Sequence, residues 1–173
     1  MGRVAQMDPA TRTARAHPAP IHASYPERAM SSRSQVLLRG CVMGLVAKIP
    51  QGLVLFAMSE VGLFVAMGVA VNVPLDIIYS TKHVALGAGF GALFAVPVLV
   101  GWPNWLRGLL VGLCHAAGTL FFFNPIVDGV GFMGLDLGAL MPVVVVVANL
   151  IWGVLAGIGV GVWNRLSAVA RAA

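Results

Sequence analysis

The sequence predicts an all-α fold: a polytopic membrane helical bundle of four transmembrane helices, arranged as two tandem hairpins. Of the 173 residues, 59% are hydrophobic and only 10% are charged, whereas a soluble domain carries roughly 25% charged residues. Apolar stretches long enough to cross ~30 Å of hydrocarbon follow one another from residue 36 onward. A glycine pattern also occurs in both halves of the chain. This composition excludes a soluble enzyme, a nucleic-acid-binding domain and a disulfide scaffold.

Residues 1–35 are expected to form a disordered, basic, cytoplasmic tail. They contain four prolines and five arginines, and they lack an apolar run long enough for the core of a signal peptide. Most of the other basic residues lie at the ends of apolar stretches. The net charge of +5 therefore reflects basic residues that set the orientation of the spans in the membrane. We expect the four-helix transmembrane domain over 36–165 and a short cytoplasmic tail over 166–173.

The first span has two candidate registers, because Lys48, Pro50 and Glu60 interrupt its apolar stretch. Hydropathy alone selects residues 52–72, which would place Glu60 in the middle of the membrane. An internal repeat favours residues 37–59, and it makes the residues up to 72 an extension or an interfacial helix. We expect the second register.

The internal repeat relates the two halves of the chain. The segment RGCVMGL that begins at Arg39 recurs 68 positions later as RGLLVGL, beginning at Arg107, and the same offset brings Glu60 onto Asp128. An offset of 66 relates three further positions, namely His83, Gly87 and Gly91, to Asn149, Gly153 and Gly157. Each half therefore predicts one helical hairpin.

The remaining spans are bounded by helix-breaking sequences. Residues 84–100 precede Gly101-Trp102-Pro103, and residues 109–124 precede Pro125, which cannot continue a helical hydrogen-bond ladder. The longest apolar run, residues 139–163, predicts the last span. Four spans place both termini on one side of the membrane.

The distribution of basic residues predicts which side that is. One side holds the tail arginines together with Arg39, Arg107, Arg165 and Arg171. The opposite loops hold Lys82 beside three aspartates. Because cytoplasmic loops carry an excess of lysine and arginine, both termini are expected to be cytoplasmic.

Every predicted span carries glycines four residues apart. Such a stripe lets a neighbouring backbone approach closely, which matters in lipid because hydrophobic burial does not drive helix association there. We expect these glycines to pack the helices of one chain together, with contact between copies as the alternative. They are Gly40, Gly44, Gly87, Gly91, Gly108, Gly112, Gly153, Gly157 and Gly161.

Ionisable side chains at membrane depth are candidate functional groups, because each costs about 2.5–3.5 kcal/mol at the centre of a span. Lys48, Glu60 and His115 are the candidates for a proton or ion path. The alternatives are a lysine that snorkels to the interface and a histidine bonded to a backbone or hydroxyl oxygen. His83 and His115 are expected at different depths, so we do not expect a haem between them.

The loops predicted to lie outside could hold a weak divalent-metal site, although their charges also suit the topology alone. The residues concerned are Asp76, Lys82, His83, Asp128 and Asp136. The sequence contains no Gly-x-Ser-x-Gly, His-Glu-x-x-His or Cys-x-x-Cys motif and no phosphate-binding glycine loop. We therefore expect no enzyme activity, no cofactor and no bound metal.

In the order of its motifs, the chain resembles the YagU-like family of small four-span bacterial inner-membrane proteins, a family of unknown function. The resemblance covers residues 36–163. It depends on Arg39-Gly-xxx-Gly-Leu-Val-Ala, His83-xxx-Gly-xxx-Gly-Ala-Leu-Phe-Ala, Arg107-Gly-xxx-Gly-Leu ending in Asn124-Pro125, and Asn149-Leu-Ile-Trp-Gly-xxx-Gly. The resemblance implies a bacterial inner-membrane location and a stress-related role, and it supplies no catalytic residues.

We expect a structural or accessory role: a bundle in the lipid bilayer that packs on itself or on a larger membrane complex, with no nucleic-acid partner. The first alternative is an oligomeric transporter or a proton- or ion-conducting protein with Lys48, Glu60 and His115 on its path. The second is a membrane anchor whose basic tail binds a soluble partner or anionic lipid, since each arginine near such a surface contributes roughly 1 kcal/mol.

Overall fold

The computed structural model describes residues 25–76, 80–97 and 101–172, and every regular element within them is helical. Three helical stretches are long and apolar enough to cross a membrane: Arg33–Glu60, Asn104–Val127 and Met141–Ala170. They contain 28, 24 and 30 residues. The all-α prediction is confirmed, and the described residues contain three candidate spans where the sequence predicts four.

The first candidate span contains helix α1 (Tyr25–Val46) from Arg33 onward and the whole of helix α2 (Lys48–Glu60). They are interrupted at Ala47 because Pro50 has no N–H to donate and its ring crowds the carbonyl four residues earlier. Helix α2 ends at Glu60, just before Gly62, whose φ of 71° lies in the left-handed region. The helix therefore ends where the register of residues 37–59 expects it to end.

Helix α1 begins inside the segment predicted to be a disordered tail. Pro26 is its second residue, and proline is well tolerated in the first turn, where the missing N–H has no helical partner to lose. Residues 25–35 are helical, so this part of the structure differs from the prediction. Residues 1–24 lie outside the described residues.

Residues 61–76 fold over one end of the bundle instead of extending the first span. Helix α3 (Leu63–Ala66) is a single turn. Phe64, Val69 and Val73 are buried in a cluster with Val144 of the last helix. The backbone N–H of Ala70 donates to the carbonyl of Leu137 at 2.6 Å, which fixes this segment to the loop before that helix.

The predicted second span corresponds to helix α4 (Thr81–Gly91) and a 3-10 turn (Ala92–Ala95). Ser80 caps the start of α4, because its hydroxyl accepts a hydrogen bond from the N–H of His83 at 3.3 Å. Extended backbone at Val96 ends the helical stretch, which is shorter than any of the three candidate spans. Residues 98–100 lie outside the described residues.

Helix α5 (Asn104–Gly118) continues through Pro125 as a π-helical segment (Thr119–Val127). The prediction that Pro125 stops this span was wrong. A π turn tolerates a residue that cannot donate the usual bond, and the N–H of Asp128 donates to the carbonyl of Phe123, five residues back, at 2.8 Å.

The last helix, α6 (Met141–Ala172), follows a 3-10 turn (Phe132–Leu137). It extends well beyond residue 163 and includes nearly all of the predicted C-terminal tail. Residues 164–172 contain no proline or glycine, so nothing in the sequence stops the helix where the apolar run ends.

Glycines bring α1 close to α4. Gly40 lies against Gly91, and Gly44 lies against Gly87. A Cβ atom built on Gly44 would lie 2.9 Å from the Cα of Gly91, which is closer than real Cβ atoms come. The two backbones therefore touch, and only glycine fits at these positions.

Helices α5 and α6 make the same kind of contact. Gly108 lies against the carbonyl of Gly153, and a Cβ on Gly112 would lie 2.5 Å from the carbonyl oxygen of Asn149. In the first pair Gly44 lies against Gly87, and the sequence offsets of 68 and 66 map these two glycines onto Gly112 and Gly153. An exact repeat would therefore place Gly112 opposite Gly153. The second helix pair is thus shifted by one helical turn relative to the repeat.

The end of the bundle that holds Arg39 and Arg107, here called the basic end, is tightly closed. Arg39 donates to the side-chain oxygen of Asn164 on α6 at 2.6 Å, and Arg107 of α5 donates to the carbonyl of Phe94 in the 3-10 turn after α4. A buried apolar core fills the interior beside them: Ala47, Phe94, Val111, Trp152, Ala156 and Val160.

Candidate functional site

A cavity of about 270 Å³, lined by both polar and apolar side chains, lies between the helices. It extends from the middle of the candidate spans to the opposite end of the bundle, here called the acidic end, where α2 and the π-helical segment finish. Phe64, Val71 and Val73 of the folded-back segment line it near that end. Its polar lining comes from both halves of the chain: Lys48, Gln51, Ser80, Lys82, His83, His115, Thr119, Asp128 and Asn149.

Lys48 is the deepest charged group in this lining. It is the first residue of α2, and only 2% of it is exposed. Its Nζ donates to Oε1 of Gln51 at 3.0 Å, and Nε2 of Gln51 donates to the carbonyl of Ala148 on α6 at 2.8 Å. A spacing of three residues puts Lys48 and Gln51 on the same face of α2, so Gln51 holds the ammonium between α2 and α6.

Lys48 has no acidic partner among the described residues. Of the described residues that line the cavity, Asp128 alone carries a carboxylate, and it forms an ion pair with Lys82. With both lysines protonated, the lining carries an excess of one positive charge. Removing such a charge from water costs several kcal/mol, so Lys48 makes the bundle less stable than an apolar residue of the same size would.

Trp152 lies behind two residues of the cavity lining, Lys48 and His115. It is fully buried, and its Nε1 donates to the carbonyl of Gly44 at 2.7 Å. Nζ of Lys48 lies 5.0 Å from the centre of its ring, within the range of a cation–π contact. His115 packs edge-on against the same ring with centroids 4.7 Å apart. Trp152 therefore positions both groups.

Two histidines in the lining have unused hydrogen-bonding capacity. Nδ1 of His115 and Nε2 of His83 are buried, and neither has a hydrogen-bond partner in the described part of the chain. Their polar neighbours are bonded to their own helices, since Thr119 donates to the carbonyl of His115 at 3.0 Å and Asn149 donates to the carbonyl of Val145 at 2.9 Å. A buried polar atom without a partner costs about 1–3 kcal/mol, so each histidine is suited to a ligand or a water molecule.

The rim of the cavity is formed by Lys82 and Asp128, whose side chains are 51% and 35% exposed. Their ion pair joins the start of α4 to the end of the π-helical segment. Asp76 and Asp136, the other acidic residues of the predicted outer loops, are exposed and do not line the cavity. Within the described residues, no three His, Cys, Asp or Glu side chains form a metal-binding group.

The structure brings together part of the predicted path. Lys48 and His115 both line the cavity, whereas Glu60 is exposed at the end of α2 and does not. The sequence places His83 and His115 at different depths, yet both line this one cavity.

Sequence reasoning missed four polar residues of the lining, namely Gln51, Ser80, Thr119 and Asn149, and also Trp152, which contacts Lys48. A signal existed for two of them, since Gln51 follows Lys48 by three residues on an apolar helix and the repeat aligns Asn149 with His83. The role of Trp152 depends on which helix faces its ring, which periodicity does not reveal.

Comparison with protein-family models, with curated proteins and with solved structures gave no match.

Proposed function

We propose that this is a small multi-pass membrane protein that binds a small polar solute or ion in the cavity and carries or conducts it across the membrane. The observation that supports this most is Lys48, a buried lysine on the wall of the cavity that has no carboxylate partner among the described residues. Charged residues within membrane spans are rare and characteristically mark substrate or ion pathways. At about 270 Å³, the cavity is just below the ~300 Å³ at which ligand pockets begin, so it suits a small solute.

The position of the cavity favours a carrier built from two repeats, because the sites of such proteins lie near the bilayer midplane between the repeats. Here the first half of the chain contributes Lys48, Gln51 and His83, and the second half contributes His115 and Asn149. We propose that the α1–α2 helix and α4 form one hairpin and that α5 and α6 form the other. This gives four spans with cytoplasmic termini, in a bacterial inner membrane.

A structural or accessory role is the second candidate, and the close glycine contacts favour it because they make a rigid bundle. The same contacts occupy the glycine stripes within one chain. Any self-association would therefore use another part of the apolar surface. The alternative of a membrane anchor concerns the basic tail, most of which lies outside the described residues.

The test is solute flux into proteoliposomes that contain the purified protein. We expect Lys48→Met to lower the flux at least about tenfold while leaving the bundle folded, because methionine has a similar length and removing an unpaired buried charge does not destabilise. Glu60→Gln is the matched control, since it also removes a charge from α2 but lies outside the cavity, and its flux should equal that of the wild type.

The solutes to compare are sodium acetate, acetamide, potassium and protons. A Lys48-dependent flux of any of them supports the proposal. If the wild type transports none of them faster than empty vesicles do, the proposal is wrong and the structural role becomes the better account.

A further inference from the structure

We infer that the cavity is a binding site for a small monovalent anion, such as a short carboxylate, whose negative atom lies against Nζ of Lys48 at the level of His115. This inference depends on the proposed function, because it names the class of solute that the cavity takes. It depends further on the balance of charge and of hydrogen-bonding groups in the lining.

The charge balance favours a single negative charge. Lys82 and Asp128 neutralise each other at the rim, so Lys48 is left as the uncompensated charge of the lining. Inside a bundle the effective dielectric constant is far below that of water, and a charge attracts its opposite and repels its like more strongly there. One anion restores neutrality, whereas a cation would double the charge.

The hydrogen-bonding groups also favour an anion. The ammonium of Lys48 has three N–H donors, and its one hydrogen bond within the described residues is to Gln51. The ring of Trp152 attracts the charge but accepts no conventional hydrogen bond. Lys48 therefore keeps donor capacity for an acceptor atom that the chain does not supply.

Two further donors are available in the same lining. A neutral imidazole carries one N–H, and both His83 and His115 have a buried nitrogen without a partner. Each neutral imidazole also has one acceptor nitrogen, so the histidines supply donors and acceptors in equal number. Oε1 of Gln51, the side-chain acceptor bonded to Lys48, already accepts from it. The excess of donors therefore comes from the remaining N–H groups of Lys48, which suit a carboxylate or a halide.

Binding is measured on the full chain in detergent through the fluorescence of Trp152. The other three tryptophans are replaced by phenylalanine: Trp102, Trp105 and Trp163. Each is at least partly exposed. Acetate, chloride and nitrate are the probes, and acetamide is the neutral match to acetate. We expect a saturable change with at least one anion and none with acetamide, because Trp152 lies 5.0 Å from Nζ of Lys48.

Variants then test the role of Lys48. Lys48→Met is expected to weaken anion binding about tenfold or more, the equivalent of at least about 1.4 kcal/mol. Arg165→Met removes a positive charge from an exposed position on α6, outside the cavity, and should bind as the unsubstituted protein does. Circular dichroism and size-exclusion profiles identify any variant that has failed to fold, and Lys48→Gln, which keeps polarity without charge, then takes the place of Lys48→Met.

The combined binding and flux results separate this inference from the proposed function. Lys48-dependent binding and flux of an anion support both. Lys48-dependent flux of acetamide, potassium or protons, without anion binding, overturns the inference and keeps the proposed function. Anion binding without any flux keeps the inference and overturns transport. If no anion binds, or if binding is equal in Lys48→Met, the inference is wrong.

Discussion

The contact between α1 and α4 can be tested with two glycines of the same helix. Gly87 and Gly89 are two residues apart in α4, so they point to different sides. A Cβ built on Gly87 would lie 2.7 Å from the carbonyl oxygen of Gly44, whereas a Cβ on Gly89 would meet nothing within 4 Å. The same change to alanine should therefore have opposite effects at the two positions.

The magnitudes follow from these distances. An ordinary contact needs at least about 3.4 Å, so Gly87→Ala must push two backbones apart by several tenths of an ångström, and overpacking of this kind costs about 1–3 kcal/mol. Gly89→Ala adds a better helix former on an open face. It should stabilise the bundle by up to about 1 kcal/mol.

Thermal unfolding of the two variants in one mild detergent measures the difference. We expect Gly87→Ala to have a lower melting temperature than the wild type, and Gly89→Ala to equal or exceed it. Equal melting temperatures for the two variants would refute the reasoning, because they would mean that α1 does not touch α4 at Gly87.

Three further predictions concern other parts of the molecule. Trp152→Phe removes the hydrogen bond to a buried carbonyl of α1 and should lower the free energy of unfolding by about 1–3 kcal/mol. Trp105→Phe, at an exposed position, should change it little. Thermal unfolding compares the two variants, and equal losses would contradict the buried hydrogen bond. Asp128→Asn breaks an exposed ion pair and should cost less than about 1 kcal/mol; a larger loss in the same assay would show that the rim supports the fold. In a cysteine-free protein, a cysteine at Ser167 should be labelled only from the cytoplasm and one at Asp136 only from outside, and the reverse labelling would contradict the proposed orientation.

The sequence predicts the helices well because apolar runs and glycine stripes are local properties. It predicts Lys48 and His115 as candidates for the same reason, since a charged or titratable group in an apolar run is visible without a structure. Glu60 met this criterion too, and only the end of helix α2 excludes it from the cavity.

What the sequence could not predict is which faces meet. A helix places successive side chains about 100° apart, so the interruption of the helix at Ala47 determines whether Lys48 faces lipid or the interior. Likewise, His83 joins His115 only because α4 starts at Thr81, after the Ser80 cap, and packs on α1. The π turn through Pro125 was missed because proline in an apolar helix ordinarily predicts its end.

The cavity reaches His115 in the middle of the bundle, and the proposed function depends most on this feature. The native Cys114 beside it is exposed on the outer surface of α5, which faces lipid in a membrane. Positions 114 and 115 therefore form a matched pair, one facing lipid and one facing the cavity, in a protein that carries Cys41→Ser. One protein keeps Cys114, and the other carries His115→Cys together with Cys114→Ser. The measurement is the rate at which a small anionic methanethiosulfonate reagent modifies the cysteine of each protein in proteoliposomes. The account predicts that position 115 reacts, that acetate slows this reaction, and that Cys114 is not modified. An unreactive position 115, or one no faster than Cys114, would contradict it.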